Sequence, residues 1–144
     1  MSRTKEQNEN LLKLATHLES LPEDYEHFGM GSYIQLDDLD IETRTLDEIP
    51  ETLTECGTVA CAVGHGPFIG IEPLEGEYWT TYSERVFIKN VREWEWCFSG
   101  EWRKLDNTPH GAAKRIQVLL RKGLPDFEVY TDSLEQYKAI LANA

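Results

Sequence analysis

The sequence predicts a mainly α-helical, compact single-domain protein built around one short buried helix, with a minor β element left open. Three observations support this fold class. Apolar residues recur at helical spacing in several segments, capping residues stand where those segments begin, and residues 56–67 are apolar on every side. A chain of 144 residues, 40% of them apolar, can build one core, so we expect a single domain over residues 1–144.

Residues 56–67 are predicted to form the buried central helix. Thr58 can cap it, because a threonine oxygen can accept a hydrogen bond from a free N–H group of the first turn. Gly66 can end it in the left-handed conformation, and Pro67 prevents its continuation. The small residues of this segment recur four positions apart, which would let neighbouring helices approach closely.

Three further segments have helical periodicity or aromatic spacing. Residues 4–21 are predicted to form an amphipathic helix that ends at Pro22. Residues 80–89 are also predicted to be helical, with a strand over residues 85–91 as the alternative. The aromatic cluster over residues 94–102 fits a helical turn or a strand, and a helix is the preferred interpretation.

The clearest local signal is the start of a helix at Thr108 and Pro109, where threonine supplies a cap and proline fits the first helical position. Gly123 is expected to end this helix. Its basic residues are expected to lie mostly outside the buried stripe: Lys114, Arg115, Arg121 and Lys122. A last helix is expected to begin after Asp132 or Ser133, and its inward-facing residues are expected to be Leu134, Tyr137, Ile140 and Leu141.

Acidic charge is concentrated in residues 19–55, called here the acidic segment and predicted to be an ordered surface loop or short helices. It contains twelve acidic residues and one basic residue, so it carries −11 of the net charge of −12. Such a field repels nucleic-acid backbones and attracts basic protein surfaces. The candidate partner-binding residues are Asp37, Asp38, Asp40, Glu42, Asp47 and Glu48. The alternative is a solvated surface that promotes solubility.

Cellular setting is indicated by the apolar runs and the cysteines. No run approaches the roughly 18 apolar residues of a membrane span, and the N-terminal residues are polar, so we expect neither a membrane partner nor a signal peptide. Three cysteines are an odd number in a chain that can build a core without disulfides. Reduced thiols and a cytoplasmic protein are therefore expected.

Three motifs together resemble a family of small proteins of bacteriophages, prophages and plasmids. They are the CGTVACAVG run at residues 56–64, the aromatic cluster at residues 94–102, and the DNTP start at residues 106–109 followed by AAKRI at residues 112–116. The resemblance covers about residues 54–125. It implies a phage or mobile-element setting, with the host cytoplasm as the place of action, and it implies no particular activity.

A zinc site is one alternative interpretation of the cysteines and histidines. The residues that could supply four ligands are Cys61, His65, Cys97 and His110. Their spacing departs from the usual pair of cysteines separated by two to four residues. Cysteine among valine and alanine is more often a small buried apolar residue, so we expect no metal and no cofactor.

A cysteine nucleophile is the enzymatic alternative, as in a cysteine-dependent hydrolase or transferase. Cys56 precedes the predicted central helix, whose N-terminus would lower the pKa of the thiol. The residues that could act as its base are His27, His65 and His110. No motif specific to a nucleophile supports this chemistry.

Calcium binding by the acidic segment is not indicated. The pattern that runs through Asp38, Asp40 and Glu42 has threonine at position 43, where an EF-hand needs glycine, and isoleucine at position 49, where it needs glutamate.

Taken together, these observations favour a small, acidic, non-enzymatic protein that binds a basic host protein and does not bind nucleic acid directly. That host protein would handle nucleic acid or act in defence.

Overall fold

The computed structural model describes residues 3–25, 34–35, 59–60, 62–129 and 132–143. Within these ranges the fold is mainly α-helical, which confirms the predicted class. The helices are α1 (Lys5–Ser20), α2 (Trp79–Val86), α3 (Val91–Phe98), α4 (Trp102–Leu105), α5 (Pro109–Lys122) and α6 (Leu134–Ala142). The strands β1 (Ile34–Gln35) and β2 (Val59–Ala60) form one short antiparallel pair, in which Ile34 lies opposite Ala60.

Helix α1 begins as its sequence predicts and packs along α5. The Thr4 hydroxyl accepts from the Gln7 backbone N–H at 3.1 Å, and the Gln7 side chain accepts from the Thr4 N–H at 2.9 Å. This reciprocal capping box satisfies two free donors of the first turn. The buried stripe consists of Leu11, Leu14, Ala15 and Leu18. Leu12 lies outside this stripe and is 56% exposed.

Helix α5 confirms the signal at Thr108 and Pro109. The Thr108 hydroxyl accepts from the Gly111 backbone N–H at 3.0 Å, and Pro109 occupies the first helical position. Gly123 ends the helix at a φ of +82°, a left-handed value that glycine adopts without steric cost. The prediction that the basic residues lie mostly outside the buried stripe is wrong for Arg115, whose side chain is fully buried in this helix.

Helix α6 confirms the predicted last helix. The Ser133 hydroxyl accepts from the Gln136 backbone N–H at 3.3 Å, so serine is the cap. Tyr137 is buried as expected, whereas Leu134 is 39% exposed and the prediction that it faces inward is wrong. Leu134 belongs to the first turn, ahead of the point where the helix meets the core.

The aromatic cluster over residues 94–102 and the segment before it are mainly helical, which confirms the preferred interpretation. Helix α2 ends at Val86, so the strand alternative over residues 85–91 is wrong. Helix α3 begins where the Asn90 side chain accepts from the Glu93 backbone N–H at 3.0 Å. These short helices bury large rings, and that burial compensates for their small number of backbone hydrogen bonds.

The predicted central helix over residues 56–67 is wrong for the part that the structure describes. Val59–Ala60 is a strand, and two 3-10 turns follow at Val63–His65 and Pro67–Ile69. Gly66 has a φ of −53°, and the left-handed glycine lies further on at Gly70. Glycines disfavour a helix interior by about 1 kcal/mol each, and β-branched valine favours a strand. Positions 56–58 and 61 lie outside the described residues.

The core is centred on aromatic rings from α3, α4, α6 and the segment before α6. Trp102 stacks on Phe127 with ring centres 5.5 Å apart, and its ring centre lies 4.7 Å from that of Tyr137. Trp96 meets Trp102 edge to face at 5.5 Å. Such ring pairs stabilise a core beyond the area they bury. The cluster joins the C-terminal half of the chain into one unit.

Candidate functional site

The six candidate partner-binding residues of the acidic segment lie outside the described residues. Their role therefore stays a prediction. The start of the segment is described: Glu19, exposed at the end of α1, accepts a 2.7 Å hydrogen bond from the Gln117 side chain of α5. Further along, the pair of β1 with β2 holds residues 35 and 59 opposite each other. The connection over residues 36–58 therefore leaves and rejoins the described fold at neighbouring points.

Arg115 is a buried charged residue whose burial the sequence interpretation missed. Its Nη1 donates to the Tyr137 hydroxyl at 2.9 Å and lies 3.8 Å from a carboxylate oxygen of Asp106. Its guanidinium carbon lies 4.2 Å from the ring centre of Trp102. Within the described ranges, Nε and Nη2 have no hydrogen-bond acceptor. The sequence did contain a signal for this burial: residue 115 follows Ala112 by three positions and precedes Leu119 by four, so it lies on the same face of the helix as these buried residues.

Asp106 links this buried guanidinium to the start of α5. One oxygen accepts from the Thr108 hydroxyl at 2.6 Å, and the other accepts from the Tyr137 hydroxyl at 2.6 Å. A side chain at Gly111 would overlap the Asp106 carboxylate, so glycine is required there. Burial raises the pKa of Tyr137, which keeps its phenol protonated and able to donate. The DNTP start is thus a structural junction between α4, α5 and α6.

A histidine pair joins α1 to the first 3-10 turn. His17 Nε2 and His65 Nδ1 are 3.2 Å apart, and the two ring centres are separated by 5.3 Å at an interplanar angle of 42°. His65 is 2% exposed, whereas His17 is half-buried. Burial lowers the pKa of His17 and so favours its neutral form at neutral pH. The sequence interpretation did not include His17 in any site.

The predicted zinc ligand set is not assembled by its described members. No cluster of three or more histidine, cysteine, aspartate or glutamate residues forms within the part of the chain that the structure describes. His65 instead meets His17, and His110 Nε2 lies 2.5 Å from the backbone oxygen of Leu21. Cys61 lies outside the described residues. The four-ligand hypothesis therefore fails for three of its members.

Of the three cysteines, Cys97 is the one that lies within the described residues, so the environment of its thiol can be stated. This cysteine is fully buried in α3, and burial raises the pKa of its thiol to about 12. A thiol with that pKa is protonated at neutral pH and is a poor nucleophile. Cys56 and His27 lie outside the described residues, so the nucleophile hypothesis at Cys56 stays untested.

Glu77 and Arg85 form a second charged junction, between the connection before α2 and α2 itself. Arg85 Nε donates to Glu77 at 2.8 Å, and the Leu74 backbone N–H donates to the same carboxylate at 2.9 Å. The hydrogen bond from Arg85 lowers the pKa of Glu77, against the opposing effect of burial. The ionised carboxylate thus fixes the chain that leads into α2.

An open groove of about 690 Å³ lies between α1 and α5. The basic residues Arg3, Lys5 and Arg121 line it together with Leu12 and Leu120. Arg3 is held in an ion pair with Glu93 at 2.6 Å. Six of its eight lining residues are polar or charged, and they form no catalytic cluster.

No family model matches the chain, and no curated protein or solved structure matches it. The resemblance to phage, prophage and plasmid proteins therefore stays a prediction. None of the described helices has the length and apolar character needed to cross a lipid bilayer.

Proposed function

We propose that this chain is a small, acidic, non-enzymatic protein of a phage or mobile element that binds a basic host protein in the host cytoplasm. The partner would handle nucleic acid or act in defence, and binding would inhibit or modulate it. The observation that carries the proposal is the charge distribution. The acidic segment holds −11 of the net −12, which leaves −1 on the other 107 residues.

The strand pair supports this proposal because it limits where the charge can be. Residues 36–58 contain eight acidic residues and one basic residue, and they include all six candidates. Since β1 pairs with β2, the residues that flank this 23-residue connection, Gln35 and Val59, lie opposite each other. This connection carries a net charge of −7, more than half of the total of −12, and both of its ends adjoin the strand pair.

Carboxylates concentrated in this way have the chemistry that a nucleic-acid-binding surface recognises. A Lys/Arg-rich groove attracts negative charge over several ångströms whether the charge belongs to phosphates or to carboxylates. Such steering acts chiefly on the association rate and weakens as salt shortens the Debye length. The expected mode of action is competition with nucleic acid for the basic surface.

The test neutralises one part of the acidic segment by replacing Asp37, Asp38 and Asp40 with Asn and Glu42 with Gln. A matched control changes the net charge by the same +4 at exposed positions elsewhere: Glu72, Glu75, Glu84 and Glu135, each to Gln. The probe is a panel of basic DNA-binding proteins, each loaded with fluorescent duplex DNA. Displacement of the DNA is followed by fluorescence anisotropy.

Wild-type protein and the matched control are expected to displace DNA from at least one panel member. The segment variant is expected to associate about tenfold more slowly at low salt, which is the lower range of electrostatic steering. Equal displacement by the two variants, or none by wild-type protein, would contradict the proposal. A loss shared by both variants would show that total charge matters and the segment does not.

A further inference from the structure

We propose that His17 and His65 form a two-imidazole binding site for a divalent transition-metal ion, with Zn²⁺ as the expected class of ion. His17 lies in the last turn of α1, and His65 ends the first 3-10 turn. The two elements are 48 residues apart along the chain, so only the fold brings the rings together. The proposal does not rest on the proposed function, although the ring centre of Tyr25, within the acidic segment, lies 6.2 Å from that of His65.

The distances between the rings match those of two ligands that share one ion. Two nitrogens bound to a tetrahedral Zn²⁺ at about 2.0–2.1 Å lie about 3.3–3.4 Å apart. Nε2 of His17 and Nδ1 of His65 are 3.2 Å apart. The same coordination places the ring centres about 5.2–5.4 Å apart, and the observed separation is 5.3 Å. Metal entry therefore requires little movement of either ring.

The environment of the pair suits a metal ligand. A metal binds the lone pair of a neutral imidazole. His65 is 2% exposed and held within the core, which reduces the entropy lost on binding. The half-buried His17 gives the ion a path from solvent.

Proton balance on binding is simple. One ring now donates an N–H to the other across the 3.2 Å contact. When an ion replaces that contact, the shared proton moves to the other nitrogen of its own ring. Both imidazoles stay neutral, and each offers one lone pair to the ion.

The two histidines leave the remaining coordination positions to water or an exchangeable ligand. No third histidine, cysteine, aspartate or glutamate joins them within the residues placed by the structure. An open site of this kind differs from closed structural zinc sites, which have four protein ligands. Imidazole selects Zn²⁺, Ni²⁺ and Cu²⁺, whereas Mg²⁺ requires oxygen ligands.

The experiment compares wild-type protein with His17→Gln and His110→Gln. The glutamine amide at position 17 can still donate a hydrogen bond to His65 Nδ1, but it is a poor zinc ligand. His110 is a matched control because it is another half-buried histidine with a backbone contact. Zn²⁺ binding is measured by titration calorimetry with Mg²⁺ as the negative control, and Co²⁺ is used to shift histidine ring protons in NMR spectra.

Wild-type protein and His110→Gln are expected to bind one Zn²⁺, and His17→Gln is expected to bind at least tenfold more weakly. Co²⁺ is expected to shift the ring protons of His17 and His65 but not those of His110. Equal Zn²⁺ affinity in wild-type protein and His17→Gln, or no binding by wild-type protein, would overturn the proposal. If His17→Gln does not fold, the Co²⁺ spectrum of wild-type protein decides the question, because unshifted His17 and His65 protons exclude the site.

Discussion

Arg115 shows how one buried charge is accommodated by its neighbours. Removing a guanidinium from water costs several kcal/mol after relaxation. The Trp102 ring face, the Tyr137 hydroxyl and the Asp106 carboxylate offset part of this cost. Tyr137 is the critical member, because its hydroxyl accepts from Arg115 and donates to Asp106.

Tyr137→Phe is expected to lower the free energy of unfolding by about 1.5–3 kcal/mol, the range for hydrogen bonds to charged groups. The change removes one oxygen and barely alters the shape of the buried ring. Urea denaturation checks it, with Tyr78→Phe as the control, since Tyr78 is 49% exposed. An unchanged denaturation midpoint for Tyr137→Phe would show that Arg115 needs no support from the phenol.

Glu77 predicts a particular response of stability to acid. Its pKa is lowered in the folded protein, so its contribution is present above the unfolded pKa of about 4.3 and is lost as the pH falls through the folded value. Glu77→Gln is expected to cost about 1–2 kcal/mol at pH 7, a value reduced by the partial exposure of Arg85.

Thermal unfolding of wild-type protein and Glu77→Gln between pH 7 and pH 3 checks this expectation. The difference between them should shrink below about pH 4.3, because the wild-type carboxylate is then protonated as well. Glu75→Gln is the control, since Glu75 is exposed two positions earlier. A difference that stays constant down to pH 3 would mean that the ionised form of Glu77 is not what stabilises the fold.

At the scale of elements, the cap of α5 does more than begin a helix. The Thr108 hydroxyl accepts from Gly111 and donates to Asp106, so it joins the helix start to the buried junction. Thr108→Ala is expected to cost about 1–2 kcal/mol, at the upper end for a helix cap. The measurement is the midpoint of thermal unfolding.

Thr16→Ala is the matched control for this cap, because Thr16 is exposed within α1 and its hydroxyl donates to the backbone oxygen of Leu12 in the preceding turn. Alanine is a better helix former than threonine at such a position, so the control should not destabilise the protein. If Thr108→Ala and Thr16→Ala lower the midpoint of thermal unfolding equally, the Thr108 cap has no special role in stability.

Local signals predicted the helices well where cap and apolar stripe agree. Thr108 with Pro109, and Ser133, begin their helices as expected, because these signals depend on a few neighbouring atoms. The helix predicted over residues 56–67 was wrong, because an apolar run of that length is compatible both with a buried helix and with a strand followed by turns. The pairing of β2 with β1 depends on a contact 25 or so residues away, which periodicity does not contain.

The candidate sites were less predictable than the elements, because they depend on tertiary contacts. Arg115 lies on the buried stripe by spacing, yet a basic residue is seldom fully buried, so its charge argued for the surface. The pair of His17 and His65 joins two segments that share no sequence motif. Its 3.2 Å contact follows only from the packing of α1 against the first 3-10 turn.

At the scale of the whole molecule, most of the net charge belongs to the acidic segment, whereas the described core is built mainly by the helices. The helices supply most of the described buried apolar residues, and the charge outside the acidic segment nearly balances. The six candidate residues of the acidic segment are predicted to lie at the surface, so their substitution is expected to shift stability by less than about 0.5 kcal/mol each. Binding and folding can thus be studied separately.

The distribution of tryptophan has a practical consequence for optical measurements. All four indoles, at positions 79, 94, 96 and 102, belong to α2, α3 and α4, and the acidic segment has none. Intrinsic fluorescence therefore reports the packing of the helices and carries no direct signal from residues 19–55. A dye placed in the acidic segment would add a second, spectrally separate channel, so that partner docking and unfolding could be followed in the same cuvette.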